Sequence, residues 1–257
     1  MIIERIHIRI FITCSIVSFA EQHALISSYP KQAIDELEQH GYLARSRYGH
    51  YYNTKLAAQY LRGFMNNYSP RLKVLDMVPV LQQAEEYVVV DIETTGGSAA
   101  RGDKIVEIAA LKVRDGQTID LFHRFINPEK PIKNSHIHGI TNARVKNEQT
   151  ITPVIHAFKA FLGDLPIVSH HIGFDWYNFL ALELFRNGIR PTNKAACTVM
   201  LARQFLKSPK YNLNIIAKTY NIPLLKHHTA DADAICANEI LQLALAQAAS
   251  ACHKTVL

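Results

Sequence analysis

Cysteine is scarce in this chain: Cys14, Cys197, Cys236 and Cys252 are the only four, and no two stand in C-x-x-C spacing. That pattern argues against a zinc ribbon or a disulfide-stapled scaffold and fits a reducing compartment, the cytoplasm. Long hydrophobic runs are missing too. The apolar stretch at residues 10–20 (IFITCSIVSFA) has 11 residues, against the roughly 20 that a membrane-spanning helix needs. Arg5, Arg9 and the small residues at its end give it the outline of a secretory leader. Glu4 does not suit a basic leader, so a buried element is the expectation, with no membrane partner. Internal repeats and low-complexity tracts are absent, and no strong basic stripe marks the first 70 residues, which carry seven Lys/Arg and five Asp/Glu. What is present is a chain of 257 residues, 48% hydrophobic, with a mean hydropathy of -0.02. It is long enough for one large domain or two smaller ones around a substantial core. The net charge of +6 is a mild pointer to a polyanionic partner.

The chain divides near residues 70–86. Upstream, Pro30 precedes KQAIDELEQHGYL, in which Ala33, Ile34, Leu37, Tyr42 and Leu43 recur near helical spacing and Gly41 supplies the stop. Residues 42–52 read as a hairpin with Gly49 at its tip, and a helix is expected from about Thr54 to Met65. Helices followed by a short basic hairpin outline a winged-helix-like domain over residues 1–70. In that reading Lys31, Arg45 and Arg47 (with His50) meet duplex DNA phosphates; the alternative is a small accessory domain whose tyrosines pack internally. Residues 71–86 read as a linker, or as a bridging helix interrupted by Pro79.

Downstream, strands and helices alternate over residues 87–257. Strands are expected at Tyr87–Asp91, Lys104–Arg114 and Thr118–Ile126, the last two joined by the turn Asp115-Gly116, and a short buried one at Pro166–Ser169. Helices are expected at Val154–Leu162, Asp175–Asn187, Ala196–Phe205, Leu213–Tyr220 and Ala230–Ala249. An antiparallel meander followed by βα units gives an α/β fold, a mixed sheet flanked by helices.

The first strand runs into Asp91-Ile92-Glu93-Thr94-Thr95-Gly96. Alternate strand residues share a face, so Asp91 and Glu93 point the same way. Two adjacent anions repel and are costly to desolvate without a counter-charge, and a hard divalent cation with oxygen ligands resolves both problems. A solvated strand end is the bland alternative for so short a pattern. Asp175 follows a strand end, where α/β sheets place ligand sites, although a helix N-terminal Asp is common for its own sake. His228 and Asp233 open the long last helix close enough in sequence to face one site.

Taken together, DIETTG at 91–96, HHIGFD at 170–175 and HHTADADA at 227–234 resemble the three motifs of the DEDDh 3′→5′ exonuclease family, whose members include the proofreading epsilon subunit of DNA polymerase III, ribonuclease T and oligoribonuclease. His136 to Thr141 likewise resembles the family's HGIT segment, and the likeness covers roughly Tyr87 to Leu245. The resemblance implies a ribonuclease H-like fold with Asp91, Glu93, Asp175 and Asp233 as ligands of two divalent ions, Mg²⁺ or Mn²⁺. His228, in H-x-A-x-x-D register with Ala230 and Asp233, is then the general base; His227 lies outside that register, and Asp231 sits about 200° around the helix from Asp233. Substrate contacts are expected around Thr94 and Thr95, at the terminal 3′-hydroxyl, and from Ile92, Ile137, His138 and Phe174. His171, where Asn is more frequent, and Cys197, where Asp is, depart from the family pattern without touching the four carboxylates.

The implied reaction is hydrolysis of the terminal phosphodiester of a single-stranded 3′ end, DNA as the first reading, releasing nucleoside 5′-monophosphates. An RNA-trimming exoribonuclease is the alternative, since nothing in the sequence announces a contact to a 2′-hydroxyl. A non-catalytic nucleic-acid-binding module is a distant third. Recruitment by a DNA polymerase and assembly as a homodimer are both left open.

Overall fold

The computed structural model describes residues 31–45, 51–53, 74–224 and 229–254. The apolar run at 10–20, the hairpin tip at Gly49, Arg47, the helix expected from Thr54 to Met65, and His227 and His228 lie outside the described residues. The chain forms two compact units, Met1–Tyr68 with Ser98–Asp103, and Ser69–Gly97 with Lys104–Leu257.

In the first unit, the helix Lys31–Gln39 buries Ala33, Ile34 and Leu37, the positions that share one helical face. It ends where Gly41 takes a positive φ of 73°, letting the Tyr42 amide return to the Leu37 carbonyl at 2.9 Å. β1 (Leu43–Arg45) then pairs antiparallel with β2 (Tyr51–Asn53), Leu43 opposite Asn53. Two of the cations expected to meet phosphate have acidic neighbours here. Lys31 pairs with Asp35 at 2.6 Å, and the Arg45 guanidinium donates to both carboxylate oxygens of Glu38, at 2.8 and 2.9 Å.

The second unit is built on a five-stranded sheet in the order β5-β4-β3-β6-β7. β3 (Glu86–Thr94), β4 (Ile105–Arg114) and β5 (Gln117–Phe125) form the antiparallel meander. Its tight turn is set by Asp115 and Gly116, with φ of 51° and 76°, both in the region a two-residue hairpin turn requires. β6 (Ile167–Ser169) and β7 (Ala195–Cys197) add in parallel beside β3. The sequence pattern differs here. The spacing predicts a helix over Ala196–Phe205, but Ala195–Cys197 is a strand, and the helix covers Thr198–Phe205. Three small residues suit either state, and pairing of Val168 with Ala196 decides it.

Residues 71–86 are expected as a linker or as a helix interrupted by Pro79, and over the described residues the helix forms without the interruption. Val74–Gln83 is one helix that runs through Pro79, and its Met77 and Leu81 are buried in the core of the second unit. Pro79 stands exposed there, its missing N–H tolerated because the buried side chains on the opposite face hold the helix in place. The expected helix at 175–187 is a composite: Ile172–Phe174, a π-helical stretch Asp175–Leu180, then Ala181–Arg186, stopped at Gly188 with φ 77°. The last helix, Ala230–Lys254, lies along β3 and β4 and packs Ala234, Cys236, Ala237, Ile240, Leu241 and Ala244 into the same core as Val89 and Leu111. Small residues on that helix allow its axis to approach the sheet closely. Among the described residues no helix is long and apolar enough to cross a membrane.

Candidate active site

Three carboxylates converge at the end of β3. Asp91 and Glu93, two apart on the strand, and Asp233, one turn into the last helix, offer oxygen atoms that all lie within 4.8 Å of one another. Val90 and Ile92, the residues between and before them, are buried, so strand alternation sends the acidic pair to the face that the last helix covers. Asp231 does not join the group. It is half-exposed and accepts the Ala232 amide at 2.9 Å, while Asp233 is buried.

Asp175 opens the π-helical stretch and is buried. The Ser169 hydroxyl, at the end of β6, donates to its Oδ2, and the His171 amide donates to the same hydroxyl at 3.0 Å. Single π-helical turns recur at functional sites, where the wider turn re-aims a side chain. Asp175 stands outside the 4.8 Å group, yet its charge is felt across it.

The electrostatics follow from burying anions together. Burial, then the charges of Asp175, Asp233, Glu93 and Glu107, hold the Asp91 carboxyl well above the ordinary carboxylate range. Burial and the charge of Glu107 push Glu93 up to about 8. Asp175 is raised to about 7 by burial, against the opposing hydrogen bonds from Ser169 and the backbone. Like charges this close favour uptake of either protons or a cation. An all-oxygen donor set of carboxylates suits a hard divalent ion such as Mg²⁺ or Mn²⁺ rather than a thiophilic metal.

Glu107, on β4 directly opposite Glu93, is a fifth carboxylate that the sequence reading missed. It is 2% exposed; His123 Nε2 donates to its Oε1 at 2.7 Å and the Ala230 amide to its Oε2 at 3.4 Å. That hydrogen bond, ahead of the opposing effect of burial, lifts His123 above its ordinary value. The available signal was a lone charge in the apolar run IVEIAAL, brought opposite Glu93 by the meander.

The residues expected around a substrate are scattered more widely in burial. Ile92 is buried on the strand face away from the carboxylates, and Thr94 is buried with its hydroxyl donating to the Gly96 carbonyl at 2.7 Å. Thr95 is tied to Lys104, its amide donating to the Lys104 carbonyl at 2.8 Å and its hydroxyl accepting the Lys104 amide at 3.0 Å. Asn134, also missed, donates to the Thr94 carbonyl at 2.8 Å and so ties the strand end to the segment carrying Ile137 and His138. Ile137 is 48% exposed; His138 is buried, its Nδ1 accepting the Ile140 amide at 3.1 Å. Phe174 is half-exposed with its ring 5.0 Å from that of Phe179. Of the two departures in the motifs, His171 is exposed and Cys197 is buried, its thiol 3.7 Å from the His170 carbonyl. His170 itself is a packing residue, its ring bonded to Thr198 Oγ1 at 2.8 Å and to the Tyr211 carbonyl at 3.1 Å.

Comparison with known proteins places this geometry in a family. The chain is 37% identical to the DNA polymerase III PolC-type of Halalkalibacterium halodurans over 168 residues, 64% of this chain and 11% of that one. It is 39% identical to the PolC-type polymerase of Clostridium perfringens over 161 residues, 62% of this chain and 11% of that one. The chain thus spans about a tenth of the length of the curated relatives it matches. In fold it is similar to exonuclease I, with a TM-score of 0.57 at 18% identity over 64% of this chain and 41% of that one. The structure of E. coli exonuclease I with a dT13 oligonucleotide gives 0.56 at 16% identity, over 64% and 42%. The family described as exonuclease (RNase_T) matches residues 88–241, more than half of the chain and the stretch that contains all the carboxylates above. The chain belongs to the RNase_T exonuclease family, and its mixed sheet carries that family's nuclease domain.

Proposed function

We propose that this protein is a metal-dependent 3′→5′ exonuclease that removes nucleotides one at a time from single-stranded DNA ends and releases nucleoside 5′-monophosphates. The observation that carries the reading is the convergence of Asp91, Glu93 and Asp233 within 4.8 Å, with Asp175 beside them, in a buried setting that raises Asp91, Glu93 and Asp175 together. These four residues would hold two divalent ions, Mg²⁺ or Mn²⁺. Bound there, the ions lower the pKa of a water nucleophile and neutralise charge developing on the phosphate and the leaving oxygen.

The chain's own residues do the rest. His228, immediately before the described Thr229 and five residues ahead of Asp233, takes the proton from the attacking water, a task suited to an imidazole near neutral pH. The Ser169 hydroxyl fixes the orientation of Asp175. The strand end around Thr94 and Thr95, braced by Asn134 and Lys104, sets where the 3′ terminus stops. Ile137, the exposed apolar side chain of the neighbouring segment, and Phe174 give a terminal base a surface that accepts any sequence.

DNA is favoured over RNA because the curated relatives are DNA polymerases, and the same likeness supports work beside a replicative polymerase in the cytoplasm. The first unit, read as a winged-helix-like accessory domain, would bind duplex DNA through Lys31, Arg45 and Arg47. The test is digestion of 5′-labelled, sequence-matched DNA and RNA strands with Mg²⁺, with Mn²⁺ and with chelator. Stepwise shortening of DNA from its 3′ end, lost in chelator and in Asp233→Ala, is the expected result. Shortening from the 5′ end, or undiminished activity in Asp233→Ala, overturns the reading.

A further inference from the structure

The carboxylate opposite Glu93 has no part in the reaction just described, yet it is among the most enclosed charges among the described residues. Glu107 is 2% exposed, and an anion so buried is retained only where its oxygens are bonded. Both are: Oε1 accepts from His123 on β5 at 2.7 Å and Oε2 from the backbone amide of Ala230 at 3.4 Å. Ala230 is the first residue of the last helix, and amides in a first turn have no acceptor within the helix. A carboxylate placed there also meets the positive end of the helix dipole. Three residues on, the same helix carries Asp233, whose amide bonds the Thr229 carbonyl at 3.0 Å. The chain His123–Glu107–Ala230 therefore connects β5, β4 and the helix end that delivers Asp233. Asp91 and Glu93 come from the adjacent strand β3, in fixed register with β4.

We infer that Glu107, steadied by His123, is a positioning residue that sets where Asp233 stands relative to Asp91 and Glu93, and thereby how tightly these carboxylates take up a divalent ion. The inference rests on the metal site proposed above. Glu107 acts through its hydrogen bonds, so glutamine, which can accept from Ala230 and donate to a neutral His123, replaces it, whereas alanine does not. Loss of a group that orients metal ligands typically weakens metal binding by about 10- to 100-fold.

The experiment measures Mn²⁺ binding to the full chain by titration calorimetry, with thermal unfolding of each metal-free variant alongside. Glu107→Ala is expected to bind Mn²⁺ about 10- to 100-fold more weakly than the parent, with Glu107→Gln less than about tenfold weaker. His123→Ala, which removes one tether only, falls between them. Equal binding by Glu107→Ala and the parent overturns the inference, and so does a Glu107→Gln as weak as Glu107→Ala, because the hydrogen bonds would then not be what matters. If Glu107→Ala does not fold, unchanged Mn²⁺ binding in His123→Ala overturns it instead. A parent chain that takes up no Mn²⁺ defeats the metal reading itself, a result distinct from a parent that binds and variants that bind equally well.

Discussion

The last helix meets the β3–β4 pair at two places, and the two differ in kind. Near its start, Asp233 is set against Asp91 and Glu93, and the group is held in an electrostatically costly state, with the Asp91 and Glu93 carboxyls raised. Farther along, Asn238 and Gln242 face Tyr87 at the start of β3. The Tyr87 hydroxyl donates to Asn238 Oδ1 at 3.0 Å and accepts from Gln242 Nε2 at 2.5 Å, while Asn238 Nδ2 reaches the Gly116 carbonyl at 3.1 Å. Here every group is neutral and partnered, as buried polar groups must be to stabilise. One end stores unfavourable charge that a ligand can relieve; the other secures the same helix to the same strands so that the first end can be unfavourable.

The largest break in that comparison should come from Asp91→Asn. Metal-dependent nucleotide release is expected to fall by about 10² to 10³ or more, the usual cost of losing a group that stabilises developing charge. Metal-free stability should move the opposite way. A carboxyl whose folded pKa is raised binds more protons folded than unfolded, so stability is greatest below the ordinary carboxyl range and falls as pH rises. With Asp175 at about 7 and Glu93 at about 8, the unfolding temperature of the metal-free protein should fall steadily from about pH 4, where free carboxyls titrate, to pH 8. Asp91→Asn removes one contributor and should flatten that fall. A metal-free protein whose unfolding temperature rises over the same pH range would mean that the acidic end is not strained.

Tyr87→Phe tests the other end. It leaves Asn238 and Gln242 without their shared partner and should cost about 1–3 kcal/mol, read as a lower unfolding temperature with nuclease activity retained. A smaller effect is expected from Gly116→Ala. The turn needs a φ of 76°, and an added Cβ would stand 3.0 Å from the Gln242 amide oxygen. Left-handed backbone alone costs a non-glycine residue about 1–2 kcal/mol, and rotation of the flexible Gln242 end can relieve the contact. If Gly116→Ala proves more destabilising than Tyr87→Phe, the turn and not the polar network holds this end together.

Much of this was legible in the sequence because it is local. The β-branched run Val88–Val90 with the alternation from Val90 to Glu93, the Asp115-Gly116 turn and the amphipathic spacing of Ala33, Ile34 and Leu37 encode elements locally. The motifs at 91–96, 170–175 and 227–234 marked the acidic residues by type and order. Ala195–Cys197 was illegible, since three small residues carry no period and become a strand only by pairing with β6. At Val74–Gln83 the proline inside an apolar run leaves a linker and an interrupted helix both open, while burial of Met77 and Leu81 holds one continuous helix together.

The sequence by itself determined which residues carry charge, the order of most strands and helices, and that Asp91 and Glu93 share a face. The motifs name Asp233 as a partner of that pair, but only the tertiary structure brings it, from 140 positions beyond Glu93 in the chain, within 4.8 Å of them and sets Glu107 opposite Glu93. Like charges are brought together by the hydrophobic packing of the last helix on β3 and β4, an attraction summed over many apolar contacts that no short stretch of sequence records.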